Sequence, residues 1–123
     1  MTAIRSTMIQ TQNYEVAQLD CLVPVRCPCG WSRRAFVEAA ESKGSVHLTE
    51  ILADSRTHYH KTLTETYTVL EGEGYLELDG ERIPLKPLTT VRIHPGCRHR
   101  AVGKLKVLIS VQPVFDPADE WFD

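Results

Sequence analysis

Two histidines separated by one residue, directly ahead of a β-prone run, constrain the fold of this chain more than any other feature. They are His58 and His60. Side chains two residues apart on an extended strand point to the same face, so these imidazoles should lie side by side. The same period of two places Glu65, Tyr67 and Val69 on one face of the following run. The stretch therefore predicts β structure that directs two imidazoles and a carboxylate toward the core.

A third histidine follows a strand and a tight turn further along the chain. The strand is expected over 91–93, and Pro95-Gly96 supplies the turn ahead of His99. This turn could return a third imidazole to the same interior. Three imidazoles and one carboxylate form an N3O set of donor atoms, which suits Fe, Mn, Ni, Co, Cu or Zn. We therefore predict one divalent transition metal per chain. Its predicted ligands are His58, His60, Glu65 and His99.

The spacing of turn residues in the second half of the chain predicts an all-β fold. A Glu-Gly-Glu-Gly segment at 71–74 is predicted to be a turn, since glycine adopts positive φ angles at low cost. Asp79-Gly80 lies between two alternating segments and is the strongest hairpin signal in the sequence. A last strand is expected over 104–112. Strand candidates spaced about 8–12 residues apart indicate a β-barrel or sandwich.

The first half of the chain carries weaker strand signals. An edge strand is expected over 21–25, because Pro24 removes one donor from the hydrogen-bond ladder. A strand over 31–37 would place Arg33 and Arg34 on opposite faces. We interpret the two arginines as solvated surface, since arginine is seldom buried without a partner. The alternative is that one of them faces inward.

The facing of a further strand, expected over 46–52, is left open by its sequence. Apolar residues occupy both parities, so periodicity does not decide which set faces the interior. We interpret His47 as an outward residue on a half-exposed strand. The alternative is that His47 faces the site as a further ligand or acid–base group.

Length and composition indicate one globular domain over 1–123, with a motif-bearing core at about 46–112, an N-terminal arm 1–20 and a short tail 113–123. No apolar run approaches the roughly 20 residues needed to cross a bilayer. The net charge is −2, from 14 basic and 16 acidic residues, which gives no electrostatic footprint for nucleic acid. The N-terminal residues do not resemble a signal peptide. We therefore expect a cytoplasmic protein without membrane or nucleic-acid partners.

The four cysteines are predicted to be free thiols, because a chain with a core of this size needs no disulfide. Cys27-Pro28-Cys29 is interpreted as a turn or a kinked edge. The spacing is CxC, not CxxC, and the chain offers no second cysteine pair to complete a zinc site.

The C-terminal tail combines a helix-start signal with two large aromatic residues. Asp116 is a candidate N-cap and Pro117 suits the first helical position. Trp121 and Phe122 follow, and they are expected to dock on the core or on a partner subunit, since large aromatics seldom remain in water beside a folded core. With the exposed strand edges, they predict a homodimer.

The motif residues resemble those of small single-domain cupins over roughly 52–112. The first cupin motif, HxH followed by Glu and Gly, is matched by His58, His60, Glu65 and Gly72, and the second is matched in part by Gly96 and His99. Departures from the family pattern fall at Leu52, Leu88, His94 and Gly103 and leave the four ligand positions intact. The resemblance implies a double-stranded β-helix, the jelly-roll barrel of cupins. It also implies an activity drawn from a family that includes dioxygenases, isomerases, decarboxylases and cyclases.

The predicted function is that of a small-molecule metalloenzyme in which the metal acts as a Lewis acid or an oxygen-activating centre. Tetrahedral zinc would be closed by four protein ligands, whereas an octahedral ion would keep two positions for substrate. We expect an oxygen-bearing chelator as the small-molecule ligand, because the walls around Tyr67 are expected to be mostly apolar. Tyr67 is the candidate catalytic group, and Arg33, Arg34 or Tyr67 are candidates to orient the far end of the ligand. The alternative is a non-catalytic module that binds a small metabolite or metal.

Overall fold

The computed structural model describes residues 8–10, 13–37, 43–52 and 55–123, and the regular secondary structure of this part of the chain is almost entirely β. Two 3-10 turns, at Leu19–Cys21 and Pro117–Asp119, are the helical elements of these residues. The rest of the predicted arm, 1–7 and 11–12, lies outside the described residues. The strands are β1 (Met8–Gln10), β2 (Glu15–Ala17), β3 (Val25–Cys27), β4 (Gly30–Ala35), β5 (Ser45–Ile51), β6 (Thr64–Leu78), β7 (Glu81–Leu85), β8 (Thr90–Ile93) and β9 (His99–Gln112).

The two longest strands, β6 and β9, form the centre of a seven-stranded antiparallel sheet. They pair along their whole lengths, from Thr64 opposite Gln112 to Leu78 opposite His99. The strand order is β3-β4-β5-β9-β6-β7, and β8 pairs with the first half of β6. Strands β1 and β2 form a separate two-stranded sheet. The all-β prediction is confirmed. In the described residues no helix is both long enough and apolar enough to cross a membrane.

The predicted turn at 71–74 is wrong, because these residues continue β6. The pairing register of β6 with β9 slips by one residue at Leu70, which leaves that residue as a β-bulge. Val69 before the bulge and Leu76 after it are both fully buried, so the inward-facing parity of the strand changes from odd to even. The glycines allow β6 to bend here without reversing, since β9 supplies a continuous partner.

Gly72 is required by this bend. It has φ +91°, and an added Cβ would lie 2.1 Å from the backbone oxygen of Lys104 on β9. We expect Gly72→Ala to lower the free energy of unfolding by about 3 kcal/mol or more, because both the backbone conformation and the strand pairing would be strained. Urea denaturation measures this change.

The matched control is Gly80→Ala, since Gly80 has a similar φ of +87° but open space around the added Cβ. Only the conformational cost applies there, so a loss of about 1 kcal/mol is expected. Equal losses in the two variants would contradict the role assigned to Gly72.

The hairpins agree with the predicted turn chemistry. Asp79 and Gly80, both at positive φ, join β6 to β7 in antiparallel register. Pro28 and Cys29 form the two-residue turn between β3 and β4, as the sequence predicted. The edge strand expected over 21–25 is displaced to Val25–Cys27, because a 3-10 turn occupies Leu19–Cys21. All four cysteines lie in the described residues and all are free thiols.

The core lies against the inner faces of β6 and β9. Tyr67, Val69 and Leu76 of β6 are buried there, together with alternating residues of β9 such as Val107 and Val111. The predicted core-facing parity of the strand that begins near Glu65 is therefore confirmed. Polar side chains interrupt this apolar interior where the motif histidines lie and on the neighbouring faces of β4 and β5.

Candidate metal centre

The structure brings the four predicted ligand residues together. Their candidate ligand atoms all lie within 4.8 Å of one another, and all four residues are buried. His58 and His99 are opposed in an antiparallel bridge, with backbone N–H···O bonds of 3.1 and 2.9 Å in the two directions. The Gly96 N–H donates to the backbone oxygen of His60 at 2.7 Å. The Pro-Gly turn thus returns the third imidazole to the His58–His60 pair, as the sequence predicted.

Each of the three imidazoles is oriented by a hydrogen bond at its Nδ1 atom. The partners are backbone carbonyl oxygens: that of Arg56 for His58 at 3.0 Å, and that of Cys97 for His99 at 2.9 Å. For His60 the partner is the carbonyl of Asp119, at 2.5 Å. A carbonyl oxygen can only accept, so Nδ1 carries the proton in all three rings. The Nε2 atoms are the ones left for a ligand, as in histidines whose second nitrogen is fixed by an outer hydrogen bond.

The inward-facing polar atoms of Glu65, His60 and His99 lie close together but form no hydrogen bonds with one another. Glu65 Oε1 lies 3.0 Å from His60 Nε2 and 3.1 Å from His99 Nε2. With the proton on Nδ1, each Nε2 is an acceptor like the carboxylate oxygen, so all three atoms are buried without a hydrogen-bond partner. Each buried polar atom left without a partner costs roughly 1–3 kcal/mol. A divalent cation among these atoms would offset that cost, so the residues fit the metal that the sequence predicted.

Electrostatics couple Glu65 to the histidines around it. Burial would raise the pKa of the Glu65 carboxyl, but the His60 and His99 imidazoles outweigh it and hold the pKa well below its ordinary range. Burial would lower the pKa of His60, yet the Glu65 carboxylate beside it produces a net increase. For His58, burial and the neighbouring His99 lower the pKa to about 4. His58 is therefore neutral and Glu65 ionised near neutral pH, as metal ligands must be.

The C-terminal tail holds the motif segment from outside. The two carboxylate oxygens of Asp119 accept the backbone N–H groups of Lys61, Thr62 and Leu63 at 2.9–3.0 Å. The backbone carbonyl of Asp119 also accepts from His60 Nδ1, so this one residue fixes both the backbone of residues 61–63 and the His60 imidazole. The sequence did not single out Asp119. Its helix-start signal is confirmed, since the Asp116 side chain caps the 3-10 turn at the Ala118 N–H.

The aromatic residues of the tail dock on this same segment of their own chain. Trp121 exchanges backbone hydrogen bonds with Tyr59 at 2.9 and 3.0 Å, and its ring lies under the Lys61 ammonium group. The Phe122 ring lies 6.2 Å from the His58 ring, with the Arg56 guanidinium above it at 3.8 Å. Each of the two residues keeps more than a third of its surface exposed.

A small cavity adjoins the cluster and opens to solvent; its volume is about 30 Å³, and part of its wall is polar. Ser32 and Thr49 face it from β4 and β5 and share a 3.0 Å hydrogen bond. Arg34 and His47, which are register partners on the same two strands, also line it. The expectation of mostly apolar walls is therefore wrong, because β4 and β5 contribute this face.

The outward interpretation of His47 is wrong. Its ring is buried, bonds to the Ser45 hydroxyl at 2.9 Å and packs edge-on against Phe115 at 4.9 Å. Burial, followed by the charge of Arg34, lowers the pKa of His47 to about 4. The residues of β5 that face inward are those with the parity of His47. The pairing of β5 with β4 and β9 decides this facing, and periodicity alone did not.

The two arginines of β4 have opposite roles. Arg33 donates to the backbone carbonyls of Asp20 and Leu22 and so anchors the first 3-10 turn. Arg34 lines the cavity, with its guanidinium 4.4 Å from the centre of the Phe115 ring. The interpretation of both as solvated surface is wrong for Arg34, and the alternative that one faces inward is correct.

Tyr67 also lines the cavity, on the face that the sequence predicted. Its hydroxyl lies 4.0 Å from the Cys29 thiol, and both side chains are fully enclosed. Burial, reinforced by Cys29 and Glu65, raises the pKa of the phenol well above its ordinary value. Tyr67 can therefore donate a hydrogen bond near neutral pH but cannot accept a proton as a base. Its catalytic role stays a prediction.

Comparison with known proteins decides the family. Residues 48–107 match the model of the family described as Cupin domain. A protein from Planctomyces limnophilus with a known crystal structure is 43% identical over 87% of this chain and 95% of that chain, with a TM-score of 0.81. The chain belongs to the cupin family. The predicted double-stranded β-helix fold of cupins is thus confirmed.

More distant cupins share the fold. Ectoine synthase from P. lautus is 24% identical, with 84% of this chain and 80% of that chain aligned at a TM-score of 0.68. A nucleoside dehydratase from Streptomyces is 16% identical, with 84% and 85% covered and a TM-score of 0.70. No curated protein matches the sequence of this chain.

Proposed function

We propose that this cupin is a metalloenzyme that binds one divalent transition metal on its buried His3Glu cluster and acts on a small oxygen-bearing molecule in the adjoining cavity. The convergence of three buried polar atoms without hydrogen-bond partners, those of His60, Glu65 and His99, carries this proposal. The Nδ1 hydrogen bonds of the three imidazoles support it, because they leave the lone pair of each Nε2 free to coordinate a metal ion. When bound, such a metal supplies Lewis-acid or oxygen-activating chemistry.

The chain's own residues would bind and orient the substrate beside that cluster. Tyr67 is a neutral phenol that can donate a hydrogen bond to a substrate oxygen. Glu120, placed in the cavity wall by the C-terminal tail, has a pKa raised chiefly by burial and is a candidate to exchange a proton with the substrate. Phe115 and Ile109 add apolar surface that excludes water.

Water relaxation in the Mn²⁺-loaded protein tests the proposal. If four protein atoms hold the ion and substrate positions are open, bound water should exchange rapidly and enhance the relaxation rate of solvent protons. Catechols, diketones and hydroxy acids should reduce that enhancement by displacing the water, and turnover of one of them should be detectable by mass spectrometry. An ion without exchangeable water, indifferent to every chelator, would contradict the proposal.

Binding without turnover is the second candidate function, and the state of Tyr67 favours it. Because the phenol stays protonated, Tyr67, the candidate catalytic group predicted from the sequence, cannot act as a base. In that case the same chelators would displace water from the ion, and each would be recovered unchanged.

A further inference from the structure

We propose that Arg34, held on the ring of Phe115, forms a carboxylate subsite in the cavity beside the metal centre. The substrate would then be a small acid with a chelating oxygen group at one end and a carboxylate at the other. This inference rests on the proposed function and names the substrate class of the same site.

The guanidinium of Arg34 is positioned by packing. Its central carbon lies 4.4 Å from the centre of the Phe115 ring, and that ring contacts His47 edge-on at 4.9 Å. The Phe115 backbone N–H donates to the Ser45 hydroxyl, which also bonds to His47. The cation is therefore fixed at one place in the cavity wall before any ligand arrives, which reduces the entropic cost of binding.

Arg34 has no anionic partner among the described residues. No carboxylate in that part of the chain lies within 4 Å of it, and its Nε atom is buried without a hydrogen bond. Arg98 and Arg100 are paired, with Asp123 and Glu77 respectively, at 3.0 and 2.8 Å. A buried polar group without a partner is costly, and an arginine at such a position is expected to meet an anion.

The carboxyls of Glu65 and Glu120 also line the cavity, and neither forms an ion pair with Arg34 within 4 Å. Burial, the largest cause, raises the pKa of the Glu120 carboxyl, and the charges of His60 and Arg34 oppose that shift. His47, the register partner of Arg34, has its pKa lowered to about 4 and is neutral. Arg34 is therefore the positive charge of this wall, and its single planar guanidinium matches the single charge and the plane of a carboxylate.

Two pairs of hydroxy acids test the subsite. 2-Hydroxybutyrate and malate share the chelating group and differ in a methyl or carboxylate at the far end, as do 2-hydroxyvalerate and 2-hydroxyglutarate with one more carbon. The visible spectrum of the Co²⁺-loaded protein reports binding. In at least one pair we expect the dicarboxylate to bind about tenfold or more tightly, the range of a hydrogen bond to a charged group.

Arg34→Gln should abolish that preference, which is measured as the ratio of the two affinities within each pair. Arg34→Lys should retain part of it. The matched control is Arg92→Gln, which removes the same charge from the exposed face of β8 and should keep the full preference.

The outcomes separate the two proposals. If no hydroxy acid perturbs the cobalt spectrum of the wild-type protein, the proposed function fails. If the hydroxy acids bind but the dicarboxylates show no advantage in either pair, the carboxylate subsite fails and the metal centre stands. The comparison of dicarboxylates with monocarboxylates needs only the wild-type protein, so it tests the carboxylate subsite even if a variant does not fold. A preference that survives in Arg34→Gln would place the carboxylate elsewhere and overturn the assignment to Arg34.

Discussion

Replacing Asp119 with alanine is expected to lower the free energy of unfolding by about 3 kcal/mol and to weaken metal binding by roughly 10–100-fold. Its carboxylate satisfies three successive backbone N–H groups, at residues 61–63, and Trp121 Nε1–H donates to it as well. Each donor left unsatisfied in a buried or half-buried place costs roughly 1 kcal/mol or more. The metal effect follows because the same residue's carbonyl orients His60, and outer partners of metal ligands typically have effects of this size.

Urea denaturation of the metal-free protein and calorimetric titration with Zn²⁺ measure the two effects of Asp119→Ala. Asp116→Ala is the matched control, because this exposed aspartate of the same 3-10 turn caps a single N–H. It should lose about 1 kcal/mol and leave metal affinity within about twofold. If Asp119→Ala behaves like Asp116→Ala in both measurements, the tail does not hold the motif segment in the way described.

Saturating metal is expected to raise the melting temperature of the wild-type protein by roughly 10 °C or more. An ion bound only by the folded state adds about 4 kcal/mol of stability at a thousandfold excess over Kd. For a chain of this length each kcal/mol corresponds to roughly 3–6 °C. The physical source is the relief of the unpartnered atoms at His60, Glu65 and His99.

Ligand variants should lose this metal-dependent increase. Differential scanning calorimetry with and without metal compares each variant with itself, which removes the effect of changed packing. Glu65→Gln and His99→Gln should show an increase below about 2 °C, whereas His94→Gln, at an exposed turn histidine, should retain the full increase. Retention of the full increase in Glu65→Gln and His99→Gln would place the metal elsewhere.

The four candidate metal ligands could be predicted from the sequence because local patterns specify where their side chains point. The period of two fixed Glu65 and Tyr67 on the inner face, and the HxH spacing did the same for His58 and His60. A tight turn was enough to return His99. Each step depended on the geometry of one strand or one turn, and the structure brings these residues together as expected.

The rest of the cavity could not be predicted because it depends on pairing between distant segments. His47 and Arg34 face inward through the register of β4, β5 and β9, which their own alternation does not specify. Asp119 acts on residues nearly 60 positions earlier, and no local pattern marks that contact. The bulge at Leu70 likewise depends on the long partner strand β9, without which the glycine-rich segment resembles a turn. The homodimer, the cytoplasmic location and the partners stay predictions.

We propose that four side chains, those of His58, His60, Glu65 and His99, hold one metal ion. Elemental analysis of protein purified after metal-replete expression tests it most directly, with a His58→Ala, His60→Ala double variant and His94→Ala purified in parallel. We expect about one divalent transition-metal ion per chain in the wild-type protein and in His94→Ala, and a content near zero in the double variant. Metal near zero in the wild-type protein, or unchanged in the double variant, would contradict the claim.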